Sequence, residues 1–148
     1  MTPNDPLLIE ELRRDEGVRY KKYIDTEGHP SCGVGNNLDA NPLPNETYPL
    51  SVQRAKEILA DDVARIWGKL QSDLPWVKTL PDVYAGVLTN MSFNMGAKGA
   101  EAFHYMLADI QAGNYAQAAI DGANSAWYTQ VGDRAKRLME QLKTGIWQ

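Results

Sequence analysis

The chain has 148 residues, 43% of them hydrophobic and 23% charged, a balance that argues against disorder and allows one compact unit with its own core. A net charge of −4 and a pI near 5.1 exclude the basic footprint of a general nucleic-acid binder, so no nucleic-acid partner is expected. One cysteine and two histidines exclude an internal disulfide and fall short of a structural zinc site, so neither metal nor cofactor is implied.

In chain order, Leu7 to Ile9 is the only apolar run near the start and charges break it, which predicts neither signal peptide nor anchor and hence no stable membrane insertion. Asp5-Pro6 reads as an N-cap with proline at the first helical position, followed by a stripe of Leu7, Leu8 and Leu12. A first helix is predicted from about residue 6 to Glu16, ended by Gly17. From Tyr20 to Gly35 polar residues alternate with aromatic and β-branched ones around Thr26 to Pro30, the pattern of a hairpin carrying Asp25 and Ser31 at facing strand ends. The Asn- and Pro-rich stretch from Asn36 to Pro49 reads as loop. Ser51 then caps a long helix over about 51–72, whose apolar residues, Ala55, Ile58, Leu59 and Val63 among them, recur at three- and four-residue steps. Beyond Pro81, Val83 to Met95 is apolar on most faces and predicts a buried helix; shorter helices are predicted near 100–111, 115–123 and 133–142, separated by Gly113, Gly122 and Gly132. The fold class is therefore α+β, mainly helical, with a small N-terminal sheet.

Between Glu16 and Ser31 the chain sets a carboxylate, eight residues, a second carboxylate at Asp25, five residues and a hydroxyl. Acid-base cleavage of a glycosidic bond needs two carboxyl groups in unlike environments and a group that holds water. A carboxyl buried at a helix end is one way to keep Glu16 protonated for donation, a solvated hairpin end suits an ionised Asp25, and the Ser31 hydroxyl can aim a water. Taken alone, such a pair is more commonly two surface charges, and Gly28, Gly33 and Gly35 are by default turn and close-packing glycines.

Three ordered blocks carry a resemblance. They are Asp15-Glu16-Gly17 with Tyr23 to Gly28 and Gly33-Val34-Gly35; then Asn90 to Gly96 with Ala102-Phe103; then Trp127-Tyr128, Arg134 to Arg137 and Thr144 to Trp147. On these the chain resembles the phage-type lysozymes, also called endolysins or muramidases, and is most similar to the T-even phage branch. The resemblance implies a single lysozyme-like domain over 1–148, with lobes of about 1–60 and 72–148, a bridging helix of about 51–72 and a cleft between the lobes. It implies cleavage of the β-1,4 bond from N-acetylmuramic acid to N-acetylglucosamine in bacterial peptidoglycan, with inversion at the sugar. Glu16 is then the general acid, Asp25 the second carboxylate and Ser31 the water-holding hydroxyl; Asn37, Phe93, Asn94 and Asp121 fall at substrate-contacting positions. Arg134 is either an exposed helical residue or, as in the family, an arginine across the cleft near the acid. A monomer is expected, made in the host bacterial cytoplasm and released to the periplasm through a holin-type lesion if it serves lysis.

The chain departs from its relatives in several places. Ser31 replaces the usual Thr and loses the methyl that restricts its rotamer. Asn36 stands where T-even relatives carry His, which predicts a hydrogen bond to Asp62 in place of an ion pair. Met106 falls at a hydroxyl position, so that contact is not carried over, and Cys32, Phe103, Trp127 and Trp147 read as core. Two rival readings remain at this level, a catalytically inactive wall-binding virion module, against which the presence of both carboxylates argues, and a lytic transglycosylase, against which the second carboxylate and the hydroxyl argue.

Overall fold

The computed structural model describes residues 5–148. The described residues up to Arg65 form one compact unit and Ile66–Gln148 another, the division falling within the helix that spans Val52–Asp73.

In the first unit α1 spans Pro6–Glu16. The Asp5 carboxylate accepts from the amides of Leu7 at 3.1 Å and Leu8 at 3.3 Å, which satisfies N-terminal donors that the helix cannot. Gly17, at φ 72°, ends the helix and donates to the Arg13 carbonyl. Leu8 and Leu12 are buried with Glu11, whereas Leu7 is half exposed; the stripe is narrower than Leu7, Leu8 and Leu12 because Leu7 stands about 100° round the helix from Leu8.

Strands β1 (Arg19–Ile24), β2 (Pro30–Gly33) and β3 (Asn36–Asn37) form an antiparallel sheet in that order. Tyr23 pairs with Ser31 and Ile24 with Pro30, while Ser31 also pairs with Asn37 and Cys32 with Asn36. The start of the stretch expected to be loop from Asn36 onward is therefore a third strand. Pairing with β2 overrides the low strand propensity of two asparagines. Cys32, Leu50, Ala55 and Ile58 make a small core that Val18, Tyr20, Leu38, Leu43 and Tyr48 flank.

Helix α2 spans Val52–Asp73, with the Ser51 hydroxyl accepting from the Arg54 amide at 3.0 Å as an N-cap. Arg54 grips Glu46 through Nε at 3.0 and 3.1 Å, tying the preceding loop to the first turn of α2.

In the second unit a 3-10 turn, Pro75–Thr79, leads to α3 (Asp82–Glu101), α4 (His104–Gln111), α5 (Tyr115–Ala123), α6 (Ala126–Val131) and α7 (Asp133–Thr144). Helix α3 is buried from Ala85 through Ser92, and the Thr89 and Ser92 hydroxyls return to carbonyls four residues back, at 2.9 and 2.8 Å. Buried there, those hydroxyls need the helix's own acceptors. At Gly96 the backbone turns to φ 81° and the helix then resumes to Glu101, so residues 100 and 101, expected in the next helix, belong to α3. Phe93 and Asn94 accordingly lie in the last helical turn before that break. Gly122 does not separate helices; it is buried within α5 against the sulfurs of Met106 and Met139. Helix α6 was not expected from the sequence, since six residues carry too little period.

Trp127 is buried, with Phe103 edge-on at 5.7 Å. Trp147 is half-buried and its ring covers Gly86, where an added Cβ would lie 2.5 Å from it. No helix among the described residues is long and apolar enough to cross a membrane.

Candidate active site

Glu16 is the last residue of α1 and half-buried. Its carboxyl lies against Gly35, where a Cβ would stand 3.1 Å from Oε2 and 3.3 Å from the carboxyl carbon. Gly35 has φ 68°, a backbone conformation that costs any other L-residue. The second glycine of Gly33-Val34-Gly35 is thus required twice, once by its own backbone and once by the room Glu16 needs.

Asp25 follows β1 directly. Its Oδ1 accepts from the amides of Glu27 at 2.9 Å and His29 at 2.8 Å, the side-chain turn that Asp forms readily at a hairpin tip. Two backbone donors on one oxygen set the direction of the carboxylate. Ser31 lies on β2, 2% exposed, and its Oγ donates to the His29 carbonyl at 3.3 Å. The same carbonyl accepts from the Asp25 amide at 2.9 Å. Asp25 and Ser31 are therefore joined through the backbone of His29.

Tyr23 stands in the field of both carboxyls. Burial raises its phenol above the ordinary Tyr value, and the negative charge of Glu16 and, more weakly, of Asp25 adds to the rise, with Arg19 opposing. The Arg19 guanidinium sits 4.8 Å from the ring centroid, close enough for a cation–π contact. The sequence reading passed over Tyr23, yet strand alternation puts it on the face of Asp25 and the register sets it opposite Ser31.

Asn36 is 2% exposed and Asp62 6%. With its amide nitrogen toward Asp62, Asn36 donates to Oδ2 at 3.0 Å and Oδ1 at 3.2 Å. The opposite orientation keeps one 3.3 Å bond to the Asn41 carbonyl but sets an amide oxygen against a carboxylate, so hydrogen-bonding chemistry selects the first. This is the bond expected from the His-to-Asn departure. Burial pushes the Asp62 carboxyl above the ordinary Asp range, opposed by Arg65, whose guanidinium donates to Oδ1 at 2.7 Å.

The four expected sugar contacts are placed differently. Asn37 Oδ1 accepts from the amides of Asp39 at 2.9 Å and Ala40 at 3.2 Å, so its acceptor shapes its own turn. In the second unit Phe93 is half-buried and Asn94 exposed, with Asn94 Oδ1 accepting from the Trp127 indole at 2.7 Å. Asp121 accepts from Gln117 at 3.1 Å and neighbours Asp109, whose carboxyl it holds above its ordinary range. It borders a cavity of about 310 Å³ that Phe103, Tyr105, Met106, Asn124 and Ser125 also line. Arg134 is half-buried and donates through Nε to Asn90 Oδ1 at 2.9 Å, and so is not simply an exposed helical residue. Among the described residues no group of three or more His, Cys, Asp or Glu is arranged to hold a metal ion.

A mainly helical α+β chain with a helix-end carboxyl, a hairpin carboxyl and a strand hydroxyl in one unit is built as a lysozyme-like glycoside hydrolase. The phage lysozyme family model matches residues 13–143, and the chain belongs to that family, whose members hydrolyse peptidoglycan. It is 32% identical to the pre-baseplate central spike protein Gp5 of Enterobacteria phage T4, over 93% of this chain and 28% of that protein. It is 29% identical to a probable T4-type lysozyme 2 of Dictyostelium discoideum, over 93% of this chain and 94% of that one. An endolysin of Salmonella phage P22 is 32% identical over 76% of this chain and 75% of its own length. The chain thus spans under a third of the spike protein and nearly all of the Dictyostelium relative.

Proposed function

We propose that this chain cleaves the β-1,4 bond between N-acetylmuramic acid and N-acetylglucosamine of bacterial peptidoglycan, with direct attack by water and inversion at the sugar. Glu16 donates its proton to the leaving oxygen as the glycosidic bond breaks, Asp25 enters ionised to stabilise positive charge on the ring or to polarise the water and accepts the proton that water releases as its oxygen bonds the sugar, and Ser31 holds that water. The observation that carries this reading is the joining of Asp25 and Ser31 through His29, with Glu16 on a separate element against Gly35. One carboxyl is placed by a helix end and the other by backbone amides, the unlike environments that division of acid and base roles requires. Asn37, Phe93, Asn94 and Asp121 contact the glycan strand. The chain acts as a single domain and a monomer, and reaches the periplasm through a holin-type lesion when it serves lysis.

Mass spectrometry of purified peptidoglycan digested by the protein tests the reaction. Reducing muropeptides ending in N-acetylmuramic acid are expected. Anhydro ends would identify a transglycosylase, and an unaltered polymer an inactive wall-binding module. The similarity to a central spike protein favours a second setting for the same hydrolase, inside a virion. Peptides of the chain in purified particles would establish that setting, and their absence would leave lysis.

A further inference from the structure

His29 lies between two of the proposed catalytic groups and belongs to neither. Its amide donates to Asp25 Oδ1 at 2.8 Å, and its carbonyl accepts from the Asp25 amide at 2.9 Å and from Ser31 Oγ at 3.3 Å. Pro30 follows it, which restricts its backbone to extended conformations. What holds this residue in place therefore aims both the carboxylate and the hydroxyl. Its imidazole reaches across the sheet, with Nδ1 3.3 Å from Asp39 Oδ2, and Nε2 stands 4.0 Å from Glu27 Oε2.

Asp39 is itself anchored. Its amide donates to Asn37 Oδ1 at 2.9 Å, and Asn37 pairs with Ser31 in the sheet. Ser31, Asn37, Asp39 and His29 thus form a closed ring of contacts, with Asp25 hung on the His29 amide. We infer that the His29–Asp39 pair is a positioning clamp for the reaction, fixing the hairpin tip so that Asp25 and Ser31 keep one mutual geometry. This inference rests on the roles proposed for Asp25 and Ser31. An exposed pair of this kind adds little to global stability, so its removal is expected to show in turnover and not in folding.

The test uses the whole chain with isolated peptidoglycan, reading released reducing ends, together with amide hydrogen exchange at His29 followed by NMR. His29→Ala and Asp39→Ala are each expected to lower kcat about fivefold with KM within about twofold, because a modest loss of orientation costs rate and not binding. The double variant is expected to fall no further than either single one. His29→Asn puts an amide nitrogen at the place of Nδ1 and is expected to restore kcat and exchange protection.

Faster exchange at His29 with lower kcat supports the clamp. Faster exchange with unchanged kcat also supports it, and shifts the failure to the roles given to Asp25 and Ser31. Unchanged exchange in both single variants overturns the clamp whatever the rate does, as would additive losses of kcat in the double variant.

Discussion

Gly35→Ala isolates the placement of Glu16, the proposed acid. Two costs are separable. A left-handed backbone at φ 68° costs an alanine roughly 1–2 kcal/mol of stability. The new methyl would also stand 3.1 Å from Glu16 Oε2, so the carboxyl must retreat by a few tenths of an ångström. Misplacing a catalytic group by about 1 Å costs on the order of 100-fold, so this smaller retreat is expected to cost about three- to tenfold in kcat. Gly113→Ala is the matched control, since Gly113 has φ 80° and nothing within 4 Å of an added Cβ. Urea unfolding should show similar losses for both variants, and reducing-end release should fall only for Gly35→Ala. Full activity in Gly35→Ala, or equal loss in both, would refute the idea that Gly35 makes room for the acid.

Asp25→Asn is expected to lower kcat by about 100-fold or more, the scale of a lost acid-base participant. Ser31→Ala should fall by a similar or smaller amount and Ser31→Thr should remain active; an inactive Ser31→Thr would contradict a shared hydroxyl role. Asp62 is buried and accepts from both Asn36 and Arg65, so Asp62→Ala should lose about 1–3 kcal/mol in urea unfolding because both donors lose their acceptor, and an unchanged midpoint would contradict this. Cys32 is fully buried, and burial raises its thiol above the ordinary value; disulfide reagents should react only after unfolding, and rapid labelling of the native chain would contradict the packing.

Much of this arrangement is legible in the residues because local chemistry dictates it. Asp5-Pro6 and Gly17 state both ends of α1, and Ser51 with its apolar repeat states α2, since caps and period act within one helix. The hairpin that carries Asp25 and Ser31 is written in its turn residues. Other features depend on partners far along the chain. Strand β3 exists because Asn36 and Asn37 find β2, and the α3 break depends on Gly96 adopting φ 81° while the helix resumes beyond it. The candidate site divides in the same way. Glu16, Asp25 and Ser31 stand out as candidates once the ordered blocks carry the resemblance, whereas Tyr23, His29 and Asp39 join them through register and hydrogen bonds that no spacing announces.

The most direct test of the proposed reaction is Glu16→Gln, which keeps the shape of the side chain and removes its proton donor. Release of reducing ends from purified peptidoglycan is expected to fall by about 100-fold to 10,000-fold, with unfolding midpoint and co-sedimentation with the polymer unchanged. Turnover within a few-fold of the parent would show that another group is the acid.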